Sequence, residues 1–145
     1  MKKHLKLVLS ILVLGVNYLS AQNFEEIQRY KAKYASQAVA VDNKHFYAID
    51  NNHITKYTLD GDSITTWHEP NKDRIRHINS GIVIKDRLYC AHSNFPETPM
   101  ASSIEIFDTK NLTHLQTISL GINVGSCTWI LPGKNCWYVF FAHYD

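Results

Sequence analysis

Cysteine is scarce: three occur in 145 residues, at Cys90, Cys127 and Cys136. None falls in a Cys-x-x-Cys or other zinc-type spacing, which removes zinc ribbons and thioredoxin-like redox pairs. An odd number leaves at least one thiol unpaired. Cys90 lies in an apolar run and reads as a small buried hydrophobe. Cys127 and Cys136 flank an expected hairpin, where a disulfide stays open because it depends on register. Charge of one sign is also missing. Fifteen Lys and Arg against thirteen Asp and Glu give a net charge of +2, which is no footprint for nucleic acid or an anionic membrane. There is no P-loop, no dinucleotide-binding fingerprint and no His-Glu-x-x-His. Ser93, Gly125 and Ser126 do not form a Gly-x-Ser-x-Gly elbow, so a serine-hydrolase reading has no support. Asn111-Leu-Thr113 matches a glycosylation sequon but reads as an ordinary turn.

What is present begins with an address. Lys2, Lys3 and Lys6 precede an apolar run over Leu5 to Val16, and Tyr18-Leu-Ser-Ala offers a cleavage site after Ala21. The run is short for a bilayer span. Residues 1–21 therefore read as a cleaved export signal, with an uncleaved anchor as the alternative, and the protein as periplasmic or extracellular without a membrane span after cleavage. Residues 22–36 form a leader. Asn23 can cap a helix, with Glu25 and Glu26 in its first turn and Phe24, Ile27 and Tyr34 at roughly helical spacing. A helix over about 23–35 is expected, an irregular leader being the alternative.

From Gln37 the hydrophobic period becomes that of strands. Ala38-Val-Ala-Val, His45-Phe-Tyr-Ala-Ile, His53-Ile-Thr-Lys-Tyr-Thr-Leu and Asp62-Ser-Ile-Thr-Thr-Trp-His are separated by polar turns, among them Asp60-Gly-Asp. The order then repeats. Val41 to Tyr47 aligns with Val83 to Tyr89, and Ile54-Thr-Lys-Tyr with Ile104-Glu-Ile-Phe, the insertion Phe95 to Ala101 lying between. A third copy starts at Ser126-Cys-Thr-Trp-Ile-Leu and continues Cys136-Trp-Tyr-Val-Phe-Phe-Ala-His. Four strands every ~40–50 residues mark the blades of a β-propeller. The expected fold is thus all-β: an incomplete propeller over residues 37–145, of about two and a half four-stranded antiparallel blades (37–68, 77–120 and a truncated 126–145). An open sandwich is the alternative. A ring needs at least four blades, so the chain reads as the N-terminal part of a longer protein, or less simply as one completed by a second chain.

A meander sorts its connections onto two rims. One rim collects plain turns: Asp42-Asn-Lys, Asp60-Gly-Asp, Lys85-Asp, Thr109-Lys-Asn and Pro132-Gly-Lys. The other collects Asp50-Asn-Asn, His77-Ile-Asn79-Ser, His92-Ser-Asn94, Asn123-Val-Gly-Ser and His143-Tyr-Asp, with the long insertion beside them. The near-repeat Ala91-His92-Ser-Asn94 and Ala142-His143-Tyr-Asp145 puts an imidazole at the same strand end twice. Such imidazoles can bond neighbouring carbonyls, bind a polar ligand, or serve a divalent metal or acid–base chemistry. His92, Asn94, Asn79, His77, His143 and Asp50 are therefore the candidate ligand-binding residues. His45, His53, His68 and His114 fall elsewhere and read as surface. Trp67, Trp129 and Trp137 are expected to pack between blades, and Trp129 could instead line the channel as a stacking platform.

On these segments, from Gln37-Ala-Val-Ala-Val-Asp through Leu88-Tyr-Cys-Ala-His-Ser-Asn and Ser102-Ser-Ile-Glu-Ile-Phe-Asp to Gly125-Ser-Cys-Thr-Trp, the chain resembles exported bacterial β-propeller proteins of largely unassigned function. More loosely it is similar to six-bladed propellers of the gluconolactonase, NHL-repeat and TolB types. The lactonase resemblance implies a divalent metal held by Asp, Asn and Glu at the top of the channel, where Asp50, Asn79 and Asn94 would lie, although no motif transfers residue by residue. Some seven-bladed relatives are cycloisomerases. Two functions follow as expectations. One is a non-catalytic module that binds a small molecule or a protein. The other is a lactonase- or cycloisomerase-like enzyme, metal-dependent or not, acting on a small sugar-derived or carboxylated substrate. The second expects His92, Asn94, Asn79 and His143 to converge on one cavity.

Overall fold

A computed structural model describes residues 24–71 and 73–144. Residues 1–23, with the expected export signal and the expected Asn23 cap, and Lys72 and Asp145 lie outside the described residues. Ten strands carry the fold: β1 (Ala38–Val41), β2 (His45–Asp50), β3 (His53–Thr58), β4 (Ser63–His68), β5 (His77–Ile84), β6 (Arg87–Ser93), β7 (Ala101–Asp108), β8 (His114–Ile122), β9 (Ser126–Pro132) and β10 (Trp137–Ala142). They form two four-stranded antiparallel meanders, β1-β2-β3-β4 and β5-β6-β7-β8, and an antiparallel hairpin of β9 and β10. No closed ring forms among the described residues. The fold is all-β, as the strand periodicity requires.

Local chemistry sets the turns. Asp42 accepts the N–H groups of Lys44 and His45 at 2.7 and 2.8 Å, and Asp108 accepts that of Lys110 at 2.7 Å. Both are short Asp-centred turns that reverse the chain. Gly61 closes the β3–β4 turn at φ +97°, in the region only glycine enters freely.

The second sheet lies between the first sheet and the hairpin, and β1, β5 and β9 run side by side. Alternation divides its side chains. Leu88 and Cys90 of β6 and Phe107 of β7 turn to the first sheet, in one core with Tyr47, Ile49, Ile54 and Ile78. Ala91, Ile104 and Ile106 turn to the hairpin and meet Cys127 and Ile130. Trp67 meets Phe107 edge-on at 4.7 Å, between the sheets as expected. Gly81 permits the closest approach: a Cβ there would stand 2.5 Å from Cδ1 of Ile49.

The leader departs from its expectation. No helix forms over residues 24–36. Phe24 and Ile27 are 92% and 94% exposed, and Glu26 pairs with Arg29 instead of capping a turn. Tyr30 packs on Phe46 with ring centroids 4.9 Å apart and donates to the Leu59 carbonyl at 2.6 Å. Tyr34 stacks on His53 at 4.0 Å. An isolated helix of this length is marginal in water, and docking two tyrosines on the first sheet outweighs it. Ala32 and Tyr30 thereby cover Phe46, Ala48 and Tyr57, the face that the second sheet does not reach. All three cysteines are free. Cys127 pairs with Phe141 across the hairpin while Cys136 precedes β10, at the opposite end, so the register separates the two thiols. Among the described residues no helix is long and apolar enough to cross a membrane.

Candidate functional site

The connections β2–β3, β4–β5, β6–β7 and β8–β9 meet at one rim. Backbone bonds tie them there: Glu69 N–H to the Asn52 carbonyl at 3.1 Å, Ile78 N–H to Asn51 at 2.8 Å, and Asn123 N–H to Met100 at 2.8 Å. The polar loops are thus held by main chain.

His92 ends β6 with only 6% of its surface exposed. Its Nε2 accepts the Arg76 N–H at 3.0 Å, and its Nδ1 lies 2.8 Å from Ser103 Oγ. Ser103 donates its hydroxyl to Glu105 Oε1 at 2.6 Å, so it must accept from the imidazole, which places the proton on Nδ1. Burial pushes the His92 pKa down to about 4, against the opposing pull of the Glu105 carboxylate. Both nitrogens of this neutral ring are occupied. Glu105, 1% exposed, is satisfied on its other oxygen by Thr117 Oγ1 at 2.6 Å and His114 Nε2 at 2.7 Å. A buried carboxylate is tolerated only with such partners. His114, expected on open surface, is half-buried in this network.

The other candidates occupy separate places. Asn94 bonds its own loop, accepting from Ala101 N–H at 2.7 Å and donating to the Pro99 carbonyl at 3.1 Å. Asn79 sits at the β5 bulge and donates to the Cys127 carbonyl at 2.8 Å, joining second sheet to hairpin. Asp50 accepts from Ser36 Oγ and from Asn51 N–H. His77 is half-buried beside Phe95, ring centroids 5.1 Å apart. Burial lowers its pKa, while Asn79 and Asp50 oppose the shift. His143 is exposed and lines a small cavity with Asn123 and Tyr144. Trp129 is 50% exposed and stacks on Phe140 at 5.2 Å, on the outer face of the hairpin. His92 and Asn94 line one cavity, His143 another, and Asn79 neither.

The cavity beside His92 has a volume of about 420 Å³ and lies where the β4–β5 connection crosses the second sheet. Beyond His92 and Asn94 its polar lining is Ser102, Ser103, Glu105, Thr117, Ser119 and Arg74. Residue-by-residue reading missed these. The signal lay in Ser103 and Glu105, polar residues two apart on either side of Ile104 in β7, which must share a face. Pairing of His92 with Ser103, and of Glu105 with Thr117, then assembles the network across three strands. Among the described residues no group of three or more His, Cys, Asp or Glu could hold a metal ion. Against protein-family models, curated proteins and solved structures, the chain matches none.

Proposed function

We propose that the two sheets and the hairpin are successive blades of a β-propeller of an exported protein, and that the cavity beside His92 binds a small hydroxylated carboxylate, such as a sugar acid, without transforming it. The repeated four-strand order and the side-by-side packing of β1, β5 and β9 support the blade reading. One observation carries the ligand class: Ser103, Thr117 and Ser119 share the cavity wall with Arg74, whose guanidinium has no ion-pair partner among the described residues. Ser103 and Thr117 already donate to Glu105 and offer their remaining acceptor lone pairs, which suit the hydroxyls of a polyol, and a planar guanidinium suits a carboxylate. Binding is favoured over catalysis because both His92 nitrogens already serve structural partners.

Titration of the full chain with gluconate, followed by amide resonances, tests this. Saturable shifts at Ser103, Thr117 and Ser119 are expected. Arg74→Gln should weaken binding about tenfold or more, the scale of one charge-assisted hydrogen bond, and Ser119→Trp, at an exposed position, should abolish it. Absence of saturable shifts sinks the ligand class. Turnover of an aldonolactone above the spontaneous rate would favour the lactonase alternative.

A further inference from the structure

The opposite rim carries a different kind of cavity. The turns β1–β2, β5–β6 and β7–β8 border an open cleft of about 380 Å³ at the edge of the two sheets, lined by Lys44, Lys56, Lys85 and Lys110. Asp42 is the one carboxylate in its lining, against four lysines, and its oxygens are engaged by the N–H groups of Lys44 and His45 and by the Tyr47 hydroxyl. None of the four lysines lies within ion-pair distance of a carboxylate among the described residues, although Lys110 acts on the Asp108 carboxylate at longer range. Three of them are exposed, at turns. Lys56 is different. It belongs to β3, is only 6% exposed, and its ammonium donates to the carbonyls of Thr109 at 2.8 Å and Lys110 at 3.4 Å. An ammonium has three donors, so one remains. A buried cation without an ion-pair partner is costly, and four lysines against one carboxylate in one lining leave an excess of positive charge.

We propose that this cavity is an anion site that takes a small, doubly charged oxyanion of the phosphate type. The two carbonyls fix the Lys56 ammonium as a buried anchor. The three exposed lysines close around the anion as flexible donors and supply the charge that selects a dianion over a monoanion. Lys85 is held at φ +57° by its tight turn, which sets where that side chain leaves the backbone. The site lies on the rim opposite His92 and does not depend on the ligand proposed there.

Calorimetric titration of the full chain with inorganic phosphate, at ionic strength held constant with potassium chloride, reads the site. Saturable binding is expected, with amide shifts at the β1–β2, β5–β6 and β7–β8 turns. Lys56→Met keeps the aliphatic stem and removes the anchor, and should weaken binding by about tenfold to a hundredfold. Should that variant fail to fold, the triple change of Lys44, Lys85 and Lys110 to Gln, all at exposed positions, decides instead and should abolish binding. No saturable binding overturns the proposal. So does binding that survives these changes in folded protein, that chloride reproduces, or that maps to the His92 rim.

Discussion

The second sheet has two neighbours and meets them in different ways. Toward the first sheet it presents shape: Leu88, Cys90 and Phe107 are fully buried against Tyr47, Ile49 and Ile54, and the sheets close to within the absent Cβ of Gly81. Toward the hairpin it presents hydrogen bonds at one end and a gap at the other. Asn79 reaches the Cys127 carbonyl, Ser102 the Gly125 carbonyl at 2.7 Å, and Ser126 donates to Ser93 at 2.7 Å. Farther out, Ile104, Ile106 and Leu120 face Trp137 across a groove of about 470 Å³, and Trp137 keeps 41% of its surface exposed. One contact is sealed by complementary side chains, whereas the other is positioned by polar ties beside its apolar cluster.

The largest expected effect separates them directly. Phe107→Ala removes a fully buried ring that touches Trp67 and His114 and should cost about 3–5 kcal/mol of unfolding free energy. Trp137→Ala removes a larger ring that leans on Tyr89 at 5.2 Å from an open position. It should cost about 1 kcal/mol, on the scale of an aromatic pair with little burial. Urea denaturation of both variants measures the difference. Equal losses would mean that the hairpin contact is sealed as tightly as the first.

Acid should act next. His92 is buried beside the β4–β5 connection, and its folded pKa stands at about 4 against the usual 6.5. Between those values the unfolded chain binds the proton and the folded chain does not. The stability is therefore complete above about pH 6.5, declines as pH falls, and is fully lost near pH 4. At pH 4.5 the loss should be roughly 2–3 kcal/mol, from 1.36 kcal/mol per pH unit over that interval. His77, shifted the same way, adds to it. Urea midpoints at pH 7 and 4.5 would show the decline, and His92→Gln, which cannot titrate, should flatten it. An unchanged slope in that variant would remove His92 from the account.

Gly81→Ala follows in size. Cδ1 of Ile49 is the end of a side chain, but that side chain is fully buried and has little room to retreat. Overpacking of this kind costs about 1–3 kcal/mol. Combining it with Ile49→Val should recover part of the loss, a coupling that only neighbours show. Additive losses would mean that the sheets stand farther apart than the side chains indicate.

These contrasts also explain what could be read from the chain in advance. Strands alternate at a period of two and end at Asp and Gly turns, so all ten elements stand close to where the pattern of Ala38-Val-Ala-Val and its successors puts them. The leader misled because Phe24, Ile27 and Tyr34 have helical spacing, yet what holds Tyr30 and Tyr34 is a sheet surface that does not exist until the fold does. The polar rim was visible as a set of residues but not as a set of partners. Whether His92 is available depends on Ser103 lying opposite it, and Ser103 is turned toward it by a register that no single strand encodes. Lys56 hid in the same way: an alternating strand places a lysine on one face, and only the neighbouring sheet decides that the face is buried.

The smallest effect sharpens the polar half of the comparison. Asn79 occupies the bulge that offsets Ile78 from Ser80 across β6, and its amide makes the 2.8 Å bond to Cys127 that spans the two units. Asn79→Ala leaves that carbonyl without its side-chain donor at a half-buried position, so about 1 kcal/mol should be lost. Being a bond between sheet and hairpin, its loss should be felt locally: hydrogen exchange should quicken in β9 and β10 and stay unchanged in β2 and β3, since local opening follows the contacts that hold a segment. Faster exchange throughout the chain would show instead that the bulge, and not the bridge, is what Asn79 maintains.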